Sequence, residues 1–283
     1  SAEGALCSCP VTAEALTGAL HALAQQGIEP FGVYVTSPDY LGGVQDIPAL
    51  AAVCRAQGVP LLVDNAHGAY LRFLPQNCHP IAQGAAMCCD SAHKTLPVVT
   101  GGAYLHLAHD APVQDEAAVR GALALFGSTS PSYLILQSLD ACNAVLAGDY
   151  PRRLAQCCAA LEGLRRSLNK AAAARQCPVP LAVAGAQQEP MKLTLDAAAL
   201  GCTGTALAEA LRRAQLECEY ADPRYVVLMF TPENPPQDFE RLQTALEQLL
   251  AAVPAGLPRP ENRAGEFAAL QQQVVQCCTI RQR

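Results

Sequence analysis

The chain has 283 residues, of which 51% are hydrophobic and 16% are charged, and its net charge is −6 at pH 7. A chain of this length and apolar content can bury a large core, which argues against a disordered protein. The negative charge argues against a nucleic-acid partner, because phosphate binding needs clustered cations.

The first half of the chain alternates between helical and strand patterns. We predict a helix capped by Thr12 and closed by Gly27, a strand over Phe31–Val35, a helix from Pro48 to Gly58, and strands over Pro60–Val63, Ala86–Cys89 and Ala103–His106. A strand, a helix and a strand in this order form a right-handed crossover, so the sheet should be parallel. The strands Phe31–Val35 and Pro60–Val63 are apolar without alternation, which indicates helices on both faces.

A long helix over Pro151–Ala174 is predicted to link this part to a smaller one. There we predict a strand over Met191–Leu195, a helix over Thr205–Ala214, strands over Glu217–Tyr220 and Tyr225–Phe230, and a helix over Asp238–Val253. The predicted units are an α/β part (1–150), a linking helix (151–178), a small α+β domain (179–253), and a linker with a terminal helix (254–283).

We expect three arginine pairs on solvated helix faces: Arg152–Arg153, Arg165–Arg166 and Arg212–Arg213.

The 14 cysteines include no C-x-x-C spacing. Adjacent pairs such as Cys157–Cys158 have a poor geometry for disulfides, and most cysteines are predicted to be small core residues. Cys78–His79 and Cys88–Cys89 fit no zinc pattern well, so no metal is expected. Free cysteines are typical of a reducing cytoplasm, and no apolar run is long enough for a membrane span. We therefore expect a cytoplasmic protein without a membrane partner.

Three polar segments fall where a parallel α/β sheet binds ligands, at the carboxyl ends of strands. They are Asp64–Gly68, Ser91–Thr95 and the hydroxyl-rich turn Gly127–Tyr133, which precedes an apolar helix. Each is ambiguous alone. An aspartate after a strand often caps a helix, a loop lysine is usually a solvated charge, and a serine–threonine turn can simply cap the helix that follows.

The scarcity of lysine gives one of these segments more weight. The chain has three lysines, Lys94, Lys170 and Lys192, against 16 arginines. A lysine kept at a strand end indicates a role that arginine cannot fill. Arginine stays protonated, whereas lysine can become a neutral nucleophile and form an imine.

Four segments, in this order and spacing over residues 10 to 145, resemble the motifs of the ornithine/lysine/arginine decarboxylase family. They are Ser37–Tyr40, Pro60–Ala69, Asp90–Pro97 and Ser128–Leu134. The resemblance implies an α/β chain of the pyridoxal-phosphate-dependent fold type I, similar to aspartate aminotransferase. Residues 1–150 would be the C-terminal part of its cofactor-binding major domain, with a parallel-rich sheet, followed by the small C-terminal α+β domain.

The resemblance also implies the cofactor pyridoxal 5′-phosphate and three catalytic residues. Lys94 would form the covalent bond to the cofactor's aldehyde. Asp64 would pair with the pyridine nitrogen and keep it protonated, so that the ring can accept electrons. His67 would touch the ring oxygen or orient Asp64, and a purely structural hydrogen-bonding role stays open for it.

Further cofactor contacts follow from the same motifs. Ala66 would pack on one face of the ring. Ser91 and His93 would bind the phosphate, since a hydroxyl and an imidazole N–H are suitable donors. Ser130 would reach the phosphate of the neighbouring subunit, which implies a homodimer or a higher oligomer.

The activity implied is decarboxylation of a basic amino acid, arginine, lysine or ornithine, to a polyamine or diamine. Two alternatives remain. One is another enzyme of this fold, an aminotransferase or a carbon–carbon lyase, and the other is a non-catalytic fragment or partner subunit.

Recognition of a basic side chain needs acidic groups. Glu219 and Asp222 are candidates by location, although each can also be read as a surface charge.

This sequence departs from the family pattern at two points. Asn65 stands where the family commonly has glutamate, which removes a charge near the cofactor. Family members also have a large N-terminal segment that supplies a phosphate loop and a stacking side chain, and residues 1–283 contain no match to it. We therefore expect that this chain alone builds an incomplete active site, either because the remainder is a separate polypeptide or because the chain is a degenerate relative.

Overall fold

A four-stranded sheet organises the first half of the protein. The structure is a computed structural model that describes residues 8–128, 130–181 and 188–254. Its strands are β1 (Val33–Thr36), β2 (Leu61–Asp64), β3 (Met87–Asp90) and β4 (Tyr104–Leu107), in that spatial order. The first three are parallel, as predicted, and β4 is antiparallel to β3. β4 reverses because the segment that joins it to β3 contains a helix of one turn, α3 (Ala92–Thr95), which is too short for a crossover.

Two helices cover one face of this sheet. They are α1 (Ala13–Gln25) and α2 (Ile47–Ala56). The side chain of Thr12 caps α1 as predicted, by accepting a hydrogen bond from the backbone N–H of Ala15 at 3.1 Å. Their apolar stripes bury Leu16, Leu50 and Cys54 against strand residues such as Val63. The cysteine is a core residue here, as predicted.

The long helix α6 (Tyr150–Ala174) stands at the centre of a second core. It packs against α8 (Pro236–Ala252) and a three-stranded antiparallel sheet with the order β5 (Lys192–Asp196), β7 (Tyr225–Met229), β6 (Tyr220–Ala221). A further helix, α7 (Gly204–Arg213), packs on β7. This core also includes Tyr70 and Ala92, so it extends from the small sheet to the end of β3. The domain boundaries stay a prediction.

One arginine of the predicted solvated pairs is buried. Arg165 is 8% exposed, and its guanidinium Nη2 donates to the carbonyl oxygens of Pro190 at 3.1 Å and Lys192 at 2.6 Å. The prediction of a solvated face is wrong for this residue. α6 is enclosed on more than one side, and the segment that enters β5 presents carbonyl oxygens that need a buried donor. Arg166, by contrast, is exposed.

Two helices carry an exposed apolar surface. These are α4 (Glu116–Phe126), a helix that we did not predict, and α5 (Tyr133–Ala147). Their exposed side chains include Leu123, Leu125, Phe126, Tyr133, Leu134 and Leu136. Across the described ranges, no helix combines the length and the hydropathy needed to cross a membrane. The predicted terminal helix and the linker beyond Pro254 lie outside the described residues.

Candidate active site

Asp64 is the last residue of β2 and lies at the carboxyl edge of the parallel strands. Its Oδ2 atom accepts a hydrogen bond from the hydroxyl of Tyr34 on β1 at 3.1 Å. Its Oδ1 atom accepts one from the backbone N–H of Ala66 at 3.0 Å. Both oxygens therefore have a donor that fixes the carboxylate at the sheet edge where ligands of this architecture bind.

The turn after Asp64 is closely packed around its glycine. A Cβ atom on Gly68 would lie 2.0 Å from Asn65 Oδ1 and 2.7 Å from Leu71 Cδ1, so only glycine fits there. Asn65 is fully buried, and its amide Nδ2 donates to Asp90 Oδ1 at 2.7 Å. The residue that departs from the family pattern is therefore paired with a carboxylate on the neighbouring strand.

Lys94 and His67 meet at this edge. Lys94 lies in α3, directly after β3, and its Nζ atom is 3.3 Å from His67 Nε2. His67 is 8% exposed, and its Nδ1 atom is buried without a hydrogen-bond partner among the described residues. Burial, together with the positive charges of Lys192 and Lys94, lowers the pKa of His67 to about 3. His67 is thus neutral near pH 7, and its Nε2 atom can accept a hydrogen bond from Lys94 Nζ.

The neutral state of His67 predicts a loss of stability in acid. The unfolded chain binds a proton at this histidine below pH 6.5, whereas the folded chain does so only near pH 3. Since the unfolded state binds more protons in this window, the free energy of unfolding falls as the pH drops from 6.5 towards 3, by at most about 1.4 kcal/mol per pH unit. Lys94, Lys192 and the ring of Tyr40 are the groups that face the imidazole.

Urea unfolding of the cofactor-free protein and its His67→Gln variant between pH 6.5 and 5 measures this effect. The variant should lose stability less steeply than the wild type, because glutamine does not titrate. Equal slopes would show that His67 is not held neutral by the fold.

The predicted phosphate ligands lie beside Lys94. Ser91 precedes α3, and its hydroxyl does not cap that helix. His93 Nδ1 is 3.0 Å from the backbone oxygen of Gly102, so this nitrogen is the donor. A phosphate could then receive a hydrogen bond from His93 Nε2 only when the ring is protonated.

Ser130 lies in an exposed turn between α4 and α5. Its backbone N–H donates to Ser128 Oγ at 3.1 Å, and Ser128 Oγ donates to its carbonyl oxygen at 3.3 Å. Thr129, in the same motif, lies outside the described residues. That Ser130 acts across a subunit interface stays a prediction.

Tyr40 is a site residue that we did not single out from the sequence. Its ring contacts the His67 ring edge-on at 5.3 Å between centroids, and its hydroxyl donates to Glu219 Oε1 at 3.2 Å. Lys192 Nζ lies 5.2 Å from the centre of the Tyr40 ring and donates to the Tyr40 carbonyl oxygen at 3.1 Å. The scarcity of lysine was a usable signal here, since Lys192 is one of three.

The buried carboxyl group of Glu189 interacts electrostatically with Lys192. Glu189 is 1% exposed and accepts hydrogen bonds from the hydroxyl of Tyr70 and from the backbone N–H of Met191. Burial raises the pKa of Glu189 and lowers that of Lys192. These side chains join β5 to the loop that carries Tyr40.

The two predicted acidic candidates differ in environment. Glu219 is exposed and reaches the site through Tyr40. Asp222 is 5% exposed, and its Oδ1 accepts from the backbone N–H groups of Arg224 at 2.8 Å and Tyr225 at 2.7 Å. Asp222 is therefore not a surface charge, because its carboxylate holds the turn between β6 and β7.

The residues present fit pyridoxal 5′-phosphate. A fixed carboxylate, a lysine amine and a buried imidazole nitrogen that lacks a partner lie on two adjacent strand ends. A ligand oxygen would supply the partner that His67 Nδ1 lacks.

Comparison with known proteins agrees with this geometry. The sequence profile described as "Orn/Lys/Arg decarboxylase, major domain" matches residues 6–187. The chain belongs to this family. It is 33% identical over 205 residues to the uncharacterised protein YaaO of Bacillus subtilis. This alignment covers 70% of this chain and 41% of YaaO. It is 29% identical over 226 residues to an arginine decarboxylase of the same bacterium. That alignment covers 77% of this chain and 45% of the enzyme.

The family fold is also found among solved structures. The lysine decarboxylase LdcF of Francisella novicida matches with a TM-score of 0.65 and 19% identity, over 84% of this chain and 38% of that one. A pyridoxamine–pyruvate aminotransferase of Mesorhizobium loti matches with a TM-score of 0.65 and 18% identity, over 94% of this chain and 70% of that one. The predicted fold type I is confirmed. This decarboxylase-family chain spans between 41% and 52% of the length of the curated relatives it matches.

Proposed function

We propose that this chain is the lysine-bearing part of an enzyme that uses pyridoxal 5′-phosphate to decarboxylate a basic amino acid, arginine, lysine or ornithine, to a polyamine or diamine. The observation that supports this most is the amine of Lys94 at 3.3 Å from a buried, neutral His67, on the turn after Asp64. Family membership supports the reaction class.

Each residue has a role that its contacts suit. The cofactor, when bound, supplies an electron sink for the bond that breaks at the substrate's α-carbon. Lys94 would hold the cofactor through its primary amine. Asp64 keeps a proton on the pyridine nitrogen, since its carboxylate is fixed by two donors. His67, with its lowered pKa, orients the Lys94 amine and does not take its proton.

The remaining predicted ligands complete the proposal. Ala66 would pack on the cofactor ring, and Ser91 and His93 would bind the phosphate, His93 in its protonated form. Glu219 faces the substrate's cationic group through its position beside Tyr40. Asp222 does not take this role, because its carboxylate is used within its own turn.

The apolar surface of α4 and α5 supports a homodimer. Soluble proteins rarely expose large contiguous apolar patches, and this one flanks Ser130. A second copy that covers α4 and α5 would bring Ser130 towards the neighbouring cofactor phosphate. The cytoplasmic location stays a prediction.

Product analysis tests this function. The native protein, supplied with pyridoxal 5′-phosphate, should release carbon dioxide and the matching amine from arginine, lysine or ornithine. Formation of a keto acid without carbon dioxide would contradict the proposal and favour an aminotransferase. No product from any of the three would favour a non-catalytic partner subunit.

A further inference from the structure

Four side chains that the proposed reaction does not use converge on one face of the first sheet. Cys88 and Asp90 are alternate residues of β3 and therefore point to the same face. His106 lies opposite Cys88 in the antiparallel register of β3 with β4. His79 comes from a separate segment, immediately before the short 3₁₀ helix Pro80–Gln83. We call these four residues the His–Asp–Cys cluster.

The donor atoms of the cluster are close together. The Nε2 atoms of His79 and His106 lie 3.1 and 3.0 Å from the same oxygen, Asp90 Oδ2. Cys88 Sγ lies 3.6 Å from His79 Nε2 and 3.3 Å from Asp90 Oδ1. The ligand atoms of His79, Asp90 and His106 all lie within 4.8 Å of one another.

These separations are near those of a tetrahedral zinc site. With zinc–nitrogen and zinc–oxygen bonds of about 2.0–2.1 Å, neighbouring nitrogen and oxygen ligands are about 3.3 Å apart. With a zinc–sulfur bond of about 2.3 Å, neighbouring nitrogen and sulfur ligands are about 3.6 Å apart. Small side-chain shifts would therefore place all four donors around one ion.

We infer that the His–Asp–Cys cluster is a binding site for a transition-metal ion of the zinc type. His79, Asp90 and His106 supply three ligands and Cys88 supplies the fourth. Imidazole, carboxylate and thiolate together select Zn²⁺ over the hard cations Mg²⁺ and Ca²⁺, which prefer oxygen ligands. Binding releases the thiol proton of Cys88 to solvent, because the thiolate is the ligand.

The surroundings of the cluster supply support and access. Asn65 Nδ2 donates to Asp90 Oδ1 at 2.7 Å and orients the carboxylate from outside the ligand set. A cavity of about 570 Å³ is lined by His79, Asp90 and His106 together with Arg72 and Asn143. Cys88, His79 and Asp90 are buried, whereas the side chain of His106 is 39% exposed. An ion can therefore enter from the cavity past His106.

The position of the cluster suggests a structural ion. It would join β3, β4 and the segment before the 3₁₀ helix, three elements that are separate in sequence. Asp90 directly precedes Ser91, at the start of the turn that carries Lys94. A bound ion would therefore stiffen the base of that turn without contact with the substrate.

Cobalt titration of the full chain tests this inference. Metal-free protein should bind one equivalent of Co²⁺, with the d–d absorption of a tetrahedral ion and a sulfur-to-cobalt charge-transfer band, and Zn²⁺ should displace the cobalt. One proton or more should appear in weakly buffered solution as the ion binds. Absence of the tetrahedral band in the wild-type protein would overturn the inference without any variant.

Matched variants assign the ligands. Cys88→Ser should abolish the charge-transfer band, whereas Cys89→Ser, which alters the next residue on the opposite face of β3, should keep it. His106→Gln should weaken cobalt binding by at least about tenfold, whereas His109→Gln, a change at an exposed residue just beyond β4, should leave it unchanged. Equal effects of the paired variants would place the metal elsewhere. Because His106 is at the partly exposed end of the cluster, its variant should keep the wild-type circular dichroism.

Discussion

Replacement of Lys94 with arginine should abolish covalent capture of pyridoxal 5′-phosphate and lower decarboxylation by at least about a thousandfold. A guanidinium keeps the positive charge but stays protonated, so it cannot form an imine with the cofactor's aldehyde. Lys94 is exposed apart from its contact with His67, so the variant should fold normally. The measurements are amine release by the native protein and absorbance of bound cofactor.

The matched control is Lys170→Arg, a change at an exposed residue near the end of α6. It should keep both the cofactor absorbance and the activity. If Lys94→Arg retained both as well, Lys94 would not be the cofactor lysine.

Replacement of Glu189 with alanine should lower the free energy of unfolding by about 3 to 5 kcal/mol. Glu189 is the buried carboxylate of a group that also contains two buried cations, Lys192 and Arg165. Its loss leaves the Tyr70 hydroxyl and the Met191 N–H without their acceptor, and removes the buried negative charge that acts on both cations. Urea unfolding measures the effect.

Glu162 provides a control on the same arginine. Its carboxylate lies 3.8 Å from Arg165 and 3.5 Å from Arg166, and it is 54% exposed. Because exposed ion pairs contribute little, Glu162→Ala should change the free energy of unfolding by less than about 1 kcal/mol. If the two variants lost similar amounts of unfolding free energy, the buried Glu189 carboxylate would contribute no more to stability than the exposed one.

The central part of the site could be predicted because it depends on local patterns. The crossover between the first two strands predicted a parallel sheet, and parallel strands end at the same edge, as β2 and β3 do. Asp64 ends one such run and Lys94 comes shortly after the other, so the sequence placed both at the same edge of the sheet. The contact between Lys94 and His67 then follows from the short turn after Asp64.

The outer part of the site could not be predicted because it depends on long-range packing. Tyr40 meets Glu219, a residue far along the chain, only because β5 and β6 pack against the Ser37–Gly43 loop. Helical periodicity likewise did not show that Arg165 faces β5, since α6 is enclosed on several sides. The His–Asp–Cys cluster combines three elements and has no short motif, so its spacing matched no zinc pattern.

The most direct test of the central claim is the identity of the lysine that holds the cofactor. The native protein is loaded with pyridoxal 5′-phosphate, reduced with borohydride and digested, and the labelled peptide is sequenced by mass spectrometry. We predict a pyridoxyl group on Lys94 and none on Lys170 or Lys192. An unmodified Lys94 in protein that has bound the cofactor would contradict the assignment.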